Sequence, residues 1–211
     1  MKHLLCLITV FFILAPLLAS AQKYAEGKIK VVIVKNRSEG PEVMEKGGLL
    51  KMLSELGCEV SKVSTVKLTP EEDKQYGDWN RAALENRHLG KLIAENGKDE
   101  YFTIGLLTNC TDLLGMLAGL QHLGPAKSSQ KSDSRSLQST GLAGRKPLRV
   151  GLVWIDAHAD FNTPETTLSG MLGGMPVAIA SGMCLTRLRL KAGLDPALPT
   201  KYIVMAGLRD V

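Results

Sequence analysis

Five short apolar runs, several rich in β-branched residues, alternate along the chain with longer segments whose apolar residues recur at helical spacing. Uniformly apolar strands are typical of a parallel sheet that helices cover on both faces. The pattern therefore predicts an α/β fold. The predicted strands span 30–35, 58–66, 101–107, 148–155 and 202–206, and the predicted helices span 42–56, 80–96, 112–123 and 170–182.

Glycines refine two of these elements. Gly57 follows the helix predicted over 42–56 and is expected to cap it. Gly115 and Gly119 lie within the helix predicted over 112–123, and we expect these small residues to let that helix pack closely on the sheet. Residues 67–77 are predicted to form a polar loop.

Charge is concentrated in one segment. The formal net charge is +5, yet residues 126–149 alone contain six basic residues against one acidic residue. The segment is rich in Ser, Lys, Arg and Gln and has no aromatic residue, so we predict a flexible basic insertion at about 126–147. Without aromatics to stack on bases, it does not indicate nucleic-acid binding.

The N-terminus has the pattern of an export signal. Lys2 precedes an apolar stretch over 4–18, and Ala19-Ser20-Ala21 is typical of a cleavage site. We predict a signal peptide at 1–21 and a single domain at 22–211, secreted or periplasmic, with no stable membrane span after cleavage. The alternative is an uncleaved anchor.

Three cysteines, Cys58, Cys110 and Cys184, remain after the predicted cleavage. An odd number at wide spacings allows one disulfide and one free thiol, and it does not indicate a disulfide framework.

The pentad Asp156-Ala157-His158-Ala159-Asp160 follows directly on the apolar run 150–155. Ligands bind beyond the carboxyl ends of parallel strands, so we predict a divalent-metal site here. In a fully extended chain, Asp156 and Asp160 would lie ~13 Å apart at ~3.3 Å per residue. Either the chain curves sharply, or the residues serve two ions ~3.5–4 Å apart.

The predicted ligands are two carboxylates and one imidazole. That set favours manganese, or another hard-to-borderline ion, over a thiolate-type zinc site. The competing interpretation of Asp156, His158 and Asp160 is an exposed turn that merely alternates acidic residues and histidine.

The sequence around these residues closely resembles the central motif of the arginase branch of the ureohydrolases. Two further stretches are similar to the N-terminal loop with its first helix and to the strand and loop after the central motif, so the resemblance covers most of residues 22–211. The matching segments are Trp154 to Pro164 with Thr166-Thr167 and Ser169-Gly170, Arg37 to Pro41 with Gly47 to Leu50, and Tyr202 to Val211.

The resemblance implies a three-layer α/β/α arrangement around a mainly parallel sheet. It implies a hydrolase that cleaves a C–N bond in guanidino groups or related amidines, using a binuclear Mn²⁺ centre and releasing urea from arginine-type substrates. Relatives of this kind are commonly trimers or hexamers, which favours a homo-oligomer.

The resemblance also implies roles for individual residues. Asp156, His158 and Asp160 match the metal ligands of the family. Asp160 is predicted to be a bridging ligand that also accepts the proton of the attacking water, which makes it the catalytic candidate. Asn162 and Ser169 match positions that hold the α-amino and carboxylate end of an amino-acid substrate.

Three departures from the family pattern stand out. Cys110 occupies the position of a ligand histidine, either as a thiolate that shifts the site toward zinc or iron or as a small buried hydrophobe. Gly173 replaces a histidine that is thought to shuttle protons. A second Asp-x-Asp ligand pair is expected beyond Val211, so the resemblance predicts a domain that is incomplete at the C-terminus.

These departures leave alternatives to an active ureohydrolase. One is a catalytically impaired or inactive relative that acts as a binding or interaction module. Another is a zinc amidohydrolase of the deacetylase type, against which Asp160 and the Asn162-Thr163-Pro164 continuation favour the manganese family.

Overall fold

The computed structural model of the chain describes residues 29–37, 39–96, 101–123 and 147–209. The predicted signal peptide at 1–21 and the basic residues 126–146 lie outside these ranges. The strands are β1 (Ile29–Lys35), β2 (Cys58–Thr65), β3 (Tyr101–Leu106), β4 (Leu152–Ile155) and β5 (Ile203–Ala206). The helices are α1 (Gly40–Lys46), α2 (Leu49–Glu55), α3 (Pro70–Asp73), α4 (Asp78–Asn96), α5 (Leu113–Gln121), α6 (Pro176–Ala180) and α7 (Thr186–Lys191).

All strand pairs among the described residues are parallel, as the apolar runs predict. One sheet has the order β2–β1–β3, and the other pairs β4 with β5. Val31 lies opposite Val60 on one side and Phe102 on the other. In the second sheet, Val153 lies opposite Val204. Parallel neighbours bring the carboxyl ends of their strands to the same edge, which is where the candidate site lies.

Helices cover the β2–β1–β3 sheet on both faces. Val34 packs with Leu89 and Ile93 of α4, whereas Val31 and Ile33 face the side of α2. Burying each such side chain contributes about 1.5–3 kcal/mol, so β1 is the apolar centre of this half of the molecule. The layers are those of the predicted three-layer α/β/α fold.

The β4–β5 sheet is covered on one face only, among the described residues. Leu152 and Trp154 pack against a core that includes residues of α5 and α6. The alternate residues Val153, Ile155 and Val204 are 65%, 78% and 60% exposed. The expectation that helices cover both faces of the sheet does not hold for this pair of strands within the described ranges, and the strand predicted over 148–155 is shorter than expected. The strand begins at Leu152, and its side chains alternate between core and surface.

Two predicted helices are interrupted. The helix expected over 42–56 is split into α1 and α2, because Gly48 adopts a left-handed φ of 91°. The segment expected as a helix over 170–182 contains a short 3₁₀ turn, Leu172–Gly174, followed by α6. Pro176 begins α6, where its missing N–H costs no helical hydrogen bond.

Two helices were not predicted. Helix α3 lies in the expected loop 67–77 and begins with a capping box, in which Thr69 and Glu72 exchange side-chain and backbone hydrogen bonds. Helix α7 follows Leu185, a residue with a positive φ of 45°.

The glycines of α5 pack against another helix, which corrects the expectation that they face the sheet. A Cβ atom on Gly115 would lie 2.6 Å from the backbone oxygen of Asn86 in α4, and one on Gly119 would lie 2.5 Å from Cβ of Ile93. The amide of Gly115 donates a 2.6 Å hydrogen bond to Oδ1 of Asn86. Helices α4 and α5 therefore meet backbone to backbone.

Cys58, Cys110 and Cys184 are all free thiols, so no disulfide forms among them.

Within the described ranges, no helix combines the length and the apolar character needed to cross a bilayer.

We predict that Gly115→Ala lowers the free energy of unfolding by about 1–3 kcal/mol, because the new methyl group meets a backbone oxygen that cannot rotate away. Without this clash, alanine would favour the helix by up to ~1 kcal/mol. Urea denaturation measures the change. The control is Gly174→Ala, since a Cβ there meets nothing within 4 Å. Equal or higher stability of Gly115→Ala would contradict the close helix contact.

Candidate metal centre

The chain turns sharply after β4 instead of continuing as an extended strand. The amide of Asp156 still donates to the carbonyl of Ala206 at 3.1 Å, and the amide of His158 then donates to Oδ1 of Asp156 at 3.1 Å. Asp160 has a positive φ of 48°, and its carbonyl accepts from the amide of Val177 in α6 at 3.0 Å. Of the two alternatives for the pentad, the curved chain is the one observed.

This turn brings Asp156 and Asp160 together and places both beside Cys110. One ligand atom from each residue, namely the Cys110 Sγ and one oxygen of each carboxylate, lies within 4.8 Å of the other two. Two donors that bind one ion at 2.0–2.3 Å stand at most about 4.6 Å apart. The three side chains are thus within a small adjustment of sharing a divalent ion.

Asp160 is the buried member of the group. The residue is 7% exposed, and its Oδ2 has no hydrogen-bond donor among the described residues. Burial raises the pKa of Asp160, the Cys110 thiol opposes the rise by donating to the carboxylate, and the charge of Asp156 adds to it. A buried carboxylate oxygen without a donor is costly, and a cation would satisfy it. The burial of Asp160 disfavours the interpretation of the pentad as a merely exposed turn, whereas His158 is exposed.

Cys110 reaches the group because a buried carboxylate fixes the turn that follows β3. Oδ2 of Asp112 accepts from Nδ2 of Asn36 at 2.7 Å and from the amides of Thr108 and Asn109 at 3.4 and 3.3 Å. Asn36 directly follows β1, so Asp112 joins the carboxyl ends of two strands. The pKa of Asp112 is raised, because the effect of burial is larger than the opposing effect of the hydrogen bond from Asn36.

Asn36 and Asp112 were not predicted from the sequence as positioning residues. One signal was present, because Asp112 lies at the start of a predicted apolar helix, where acidic residues often accept backbone hydrogen bonds. Nothing in the pattern of β1 indicated its partner Asn36.

Cys110 is an exposed residue whose thiol lies beside two carboxylates, so it is not a small buried hydrophobe. Partial desolvation, followed by the negative charge of Asp160 and a hydrogen bond to it, raises the pKa of the thiol to about 11. Without a cation nearby, the thiolate is therefore disfavoured.

His158 lies beside the group of three without belonging to it. Its side chain is 61% exposed, and Nδ1 is 3.7 Å from Oδ1 of Asp156. Asp156 thus has candidate ligand atoms of three residues near it, namely Cys110, Asp160 and His158. The assignment of Asp160 as the bridging and proton-accepting residue stays a prediction.

The predicted substrate residues lie on the exposed loop that follows Asp160. Oδ1 of Asn162 accepts from the hydroxyl of Thr166 at 3.1 Å, and Oγ of Ser169 accepts from the amide of Met171 at 3.2 Å. These hydrogen bonds shape the loop, and the roles of Asn162 and Ser169 in substrate binding stay predictions. A Cβ on Gly173 would find its nearest neighbour 3.9 Å away in Met171, so a side chain fits there.

Two concavities among the described residues lie away from this group. One is lined by Arg149, Val150, Gly151 and Tyr202, and the other lies between α4 and α7 near Trp79 and Leu188. We assign the candidate site by its convergent ligand atoms, since neither concavity contains a comparable set of chemical groups.

Parallel strands between helices, with two carboxylates and a thiol converging past their carboxyl ends, define an α/β protein with a candidate divalent-metal centre. The sequence model of the arginase family matches residues 137–211. Arginase of Entamoeba histolytica is 32% identical over 202 residues, which are 92% of this chain and 57% of that protein. Human arginase-1 is 31% identical over 178 residues, 82% of this chain and 49% of that protein.

Solved structures give the same result for the fold. The structure of Entamoeba histolytica arginase in complex with L-ornithine matches with a TM-score of 0.63 and 25% identity, over 87% of this chain and 60% of that one. Bacillus caldovelox arginase matches with a TM-score of 0.62 and 22% identity, over 86% and 58%. The chain spans about half the length of the curated relatives it matches. It belongs to the arginase/ureohydrolase superfamily.

We predict that iodoacetamide alkylates Cys110 about tenfold more slowly at pH 8 than it alkylates an unperturbed thiol. A pKa of about 11 instead of 9.0 lowers the thiolate fraction about a hundredfold, and the greater nucleophilicity of the more basic thiolate offsets part of this. The rate should still rise between pH 9 and about 11, and Asp156→Asn should increase the rate at pH 8. Site-resolved mass spectrometry measures it in metal-free protein. A plateau reached by pH 9 would contradict the electrostatic environment described here.

Proposed function

We propose that this protein is a metal-dependent ureohydrolase that cleaves the C–N bond of a guanidino or related amidine group and releases urea from an arginine-like substrate. The observation that carries the proposal is the convergence of Cys110, Asp156 and Asp160 past the strand ends of an arginase-superfamily fold. Mn²⁺ is the ion that the resemblance implies, in a binuclear centre.

Four residues would hold the ions, namely Cys110, Asp156, Asp160 and His158. The buried, donor-free Oδ2 of Asp160 supports this assignment, because the oxygen lacks the partner that a cation would supply. Bound divalent ions lower the pKa of water and polarise the substrate, so that hydrolysis proceeds at neutral pH.

Side chains of this protein would carry out the remaining steps of the proposed hydrolysis. Water attacks the guanidinium carbon and Asp160 accepts a proton of the water. That proton then passes to the nitrogen of the substrate amine as its C–N bond breaks, so urea and the protonated amine are released and Asp160 is a carboxylate again. Asn162 and Ser169 would hold the α-amino and carboxylate end of an amino acid, from positions on the exposed loop. The complex of the similar Entamoeba histolytica arginase with L-ornithine supports an amino-acid substrate.

We predict that purified protein supplemented with Mn²⁺ releases urea from L-arginine or agmatine, and that Asp160→Asn reduces the rate about 10²–10⁴-fold, the usual contribution of a proton-transfer group. Colorimetric urea determination measures both. The control is Glu55→Gln, which removes an exposed carboxylate at the end of α2. No urea from folded, metal-supplemented protein with any guanidino substrate would refute the enzymatic assignment.

A second candidate function is a catalytically impaired relative that serves as a binding or interaction module. Cys110 in a ligand-histidine position and Gly173 in place of the proton-shuttling histidine favour it. Cys110→His combined with Gly173→His separates the two, because space for the second side chain is open. Urea release that appears only in the double variant would support impairment, whereas activity in the unaltered protein would exclude it.

We also propose that the protein is exported after cleavage before Gln22 and that it self-associates. The support is the N-terminal sequence pattern for the first and the family resemblance for the second. N-terminal sequencing of protein recovered from the secreted or periplasmic fraction, and light scattering of the purified protein, test the two proposals. An intact Met1 in that fraction, or a monomeric mass, would refute them respectively.

A further inference from the structure

We propose that the ion site formed by Cys110, Asp156 and Asp160 binds a thiophilic divalent ion such as Zn²⁺ or Co²⁺ in preference to Mn²⁺, with the Cys110 Sγ as a direct ligand. The inference deepens the proposed metal centre and rests on it, but it does not require turnover. It concerns only this group of three, and His158 lies outside it.

The first support is the donor set. A thiolate is a soft ligand that selects zinc-like ions, whereas carboxylates alone suit manganese, magnesium and calcium. Sγ of Cys110 lies within 4.8 Å of an oxygen from each of Asp156 and Asp160, so the sulfur is within reach of an ion that the two carboxylates share. An ion that used only the two carboxylates would leave an adjacent thiol without a role.

The second support is the unsatisfied oxygen in the same group. Asp160 is 93% buried, and its Oδ2 receives no hydrogen bond from any described residue. Such groups normally have a partner, which can be protein, water or an ion. A cation held between Asp160, Asp156 and Cys110 would supply it and would offset the negative charge gathered there.

The third support is that the sulfur is held in place. Cys110 begins the short turn Cys110–Asp112, and the carboxylate of Asp112 fixes that turn through the amides of Thr108 and Asn109 and the side chain of Asn36. A ligand that is positioned before the ion arrives loses little conformational entropy on binding. The backbone that carries the thiol is therefore fixed relative to the two carboxylates before an ion binds.

The direct test is optical titration with Co²⁺. A cobalt–thiolate bond produces a charge-transfer absorption in the near ultraviolet that oxygen and nitrogen ligands do not give. We expect this band in the unaltered protein and in Cys184→Ser, which changes a thiol outside the group of three, and we expect its loss in Cys110→Ser. Bound Co²⁺ without the band, or a band that survives in Cys110→Ser, would overturn the proposal.

Selectivity is tested by competition, because zinc and cobalt bind most sites more tightly than manganese does. For each protein, the dissociation constant for Mn²⁺ is divided by that for Zn²⁺. The informative quantity is this ratio in the unaltered protein divided by the same ratio in Cys110→His. The general order of metal affinities cancels in this quotient. We expect a quotient of at least about tenfold, and a value near one would overturn the thiolate assignment.

A protection experiment covers the case in which a variant is poorly folded. Zn²⁺ should block alkylation of Cys110 in the unaltered protein at concentrations where Mn²⁺ does not. Equal protection by both ions, or none by either, would overturn the proposal. None of these measurements uses urea release. An inactive protein that shows the cobalt–thiolate band would therefore disprove the proposed hydrolysis while leaving the metal preference intact.

Discussion

The candidate centre depends on the hydrogen bonds that the carboxylate of Asp112 accepts. This carboxylate accepts the side-chain amide of Asn36 from the end of β1 and two backbone amides from the turn after β3. Hydrogen bonds to a charged acceptor contribute about 1.5–3 kcal/mol each. At Asp112 they offset only part of the cost of burying the charge, since the pKa of this carboxyl is still raised. Since Asp112 is 2% exposed, the contact is inside the molecule, and the turn that carries Cys110 has a fixed place relative to the sheet.

The rest of the centre comes from the other sheet. Asp156 and Asp160 lie on one turn after β4, and the carbonyl of Asp160 is bound to the first turn of α6. The thiol and the carboxylates thus come from segments more than forty residues apart in sequence, and they meet where both sheets pack against the same helix, α5. The geometry of the site is a property of that shared helix as much as of the pentad itself.

Much of this was predictable from the sequence, and the failures have physical causes. Apolar periodicity located the five described strands and the long helix α4, and the spacing of Asp156, His158 and Asp160 marked the strand end correctly. The pattern could not reveal that Gly48 breaks a helix, since its left-handed φ depends on how the chain must turn. It could not show that β4 is covered on one face, or that Cys110 faces two carboxylates, because both depend on contacts between distant segments.

The contact between α4 and α5 has a consequence for inherited variation. Gly115 and Gly119 carry no chemical group, yet each position lacks room for even a methyl group. A genetic survey would therefore find two sets of positions at which substitutions are damaging, and the phenotype alone would not distinguish them. One set consists of positions with reactive side chains, and the other consists of positions at which only a hydrogen atom fits as the side chain.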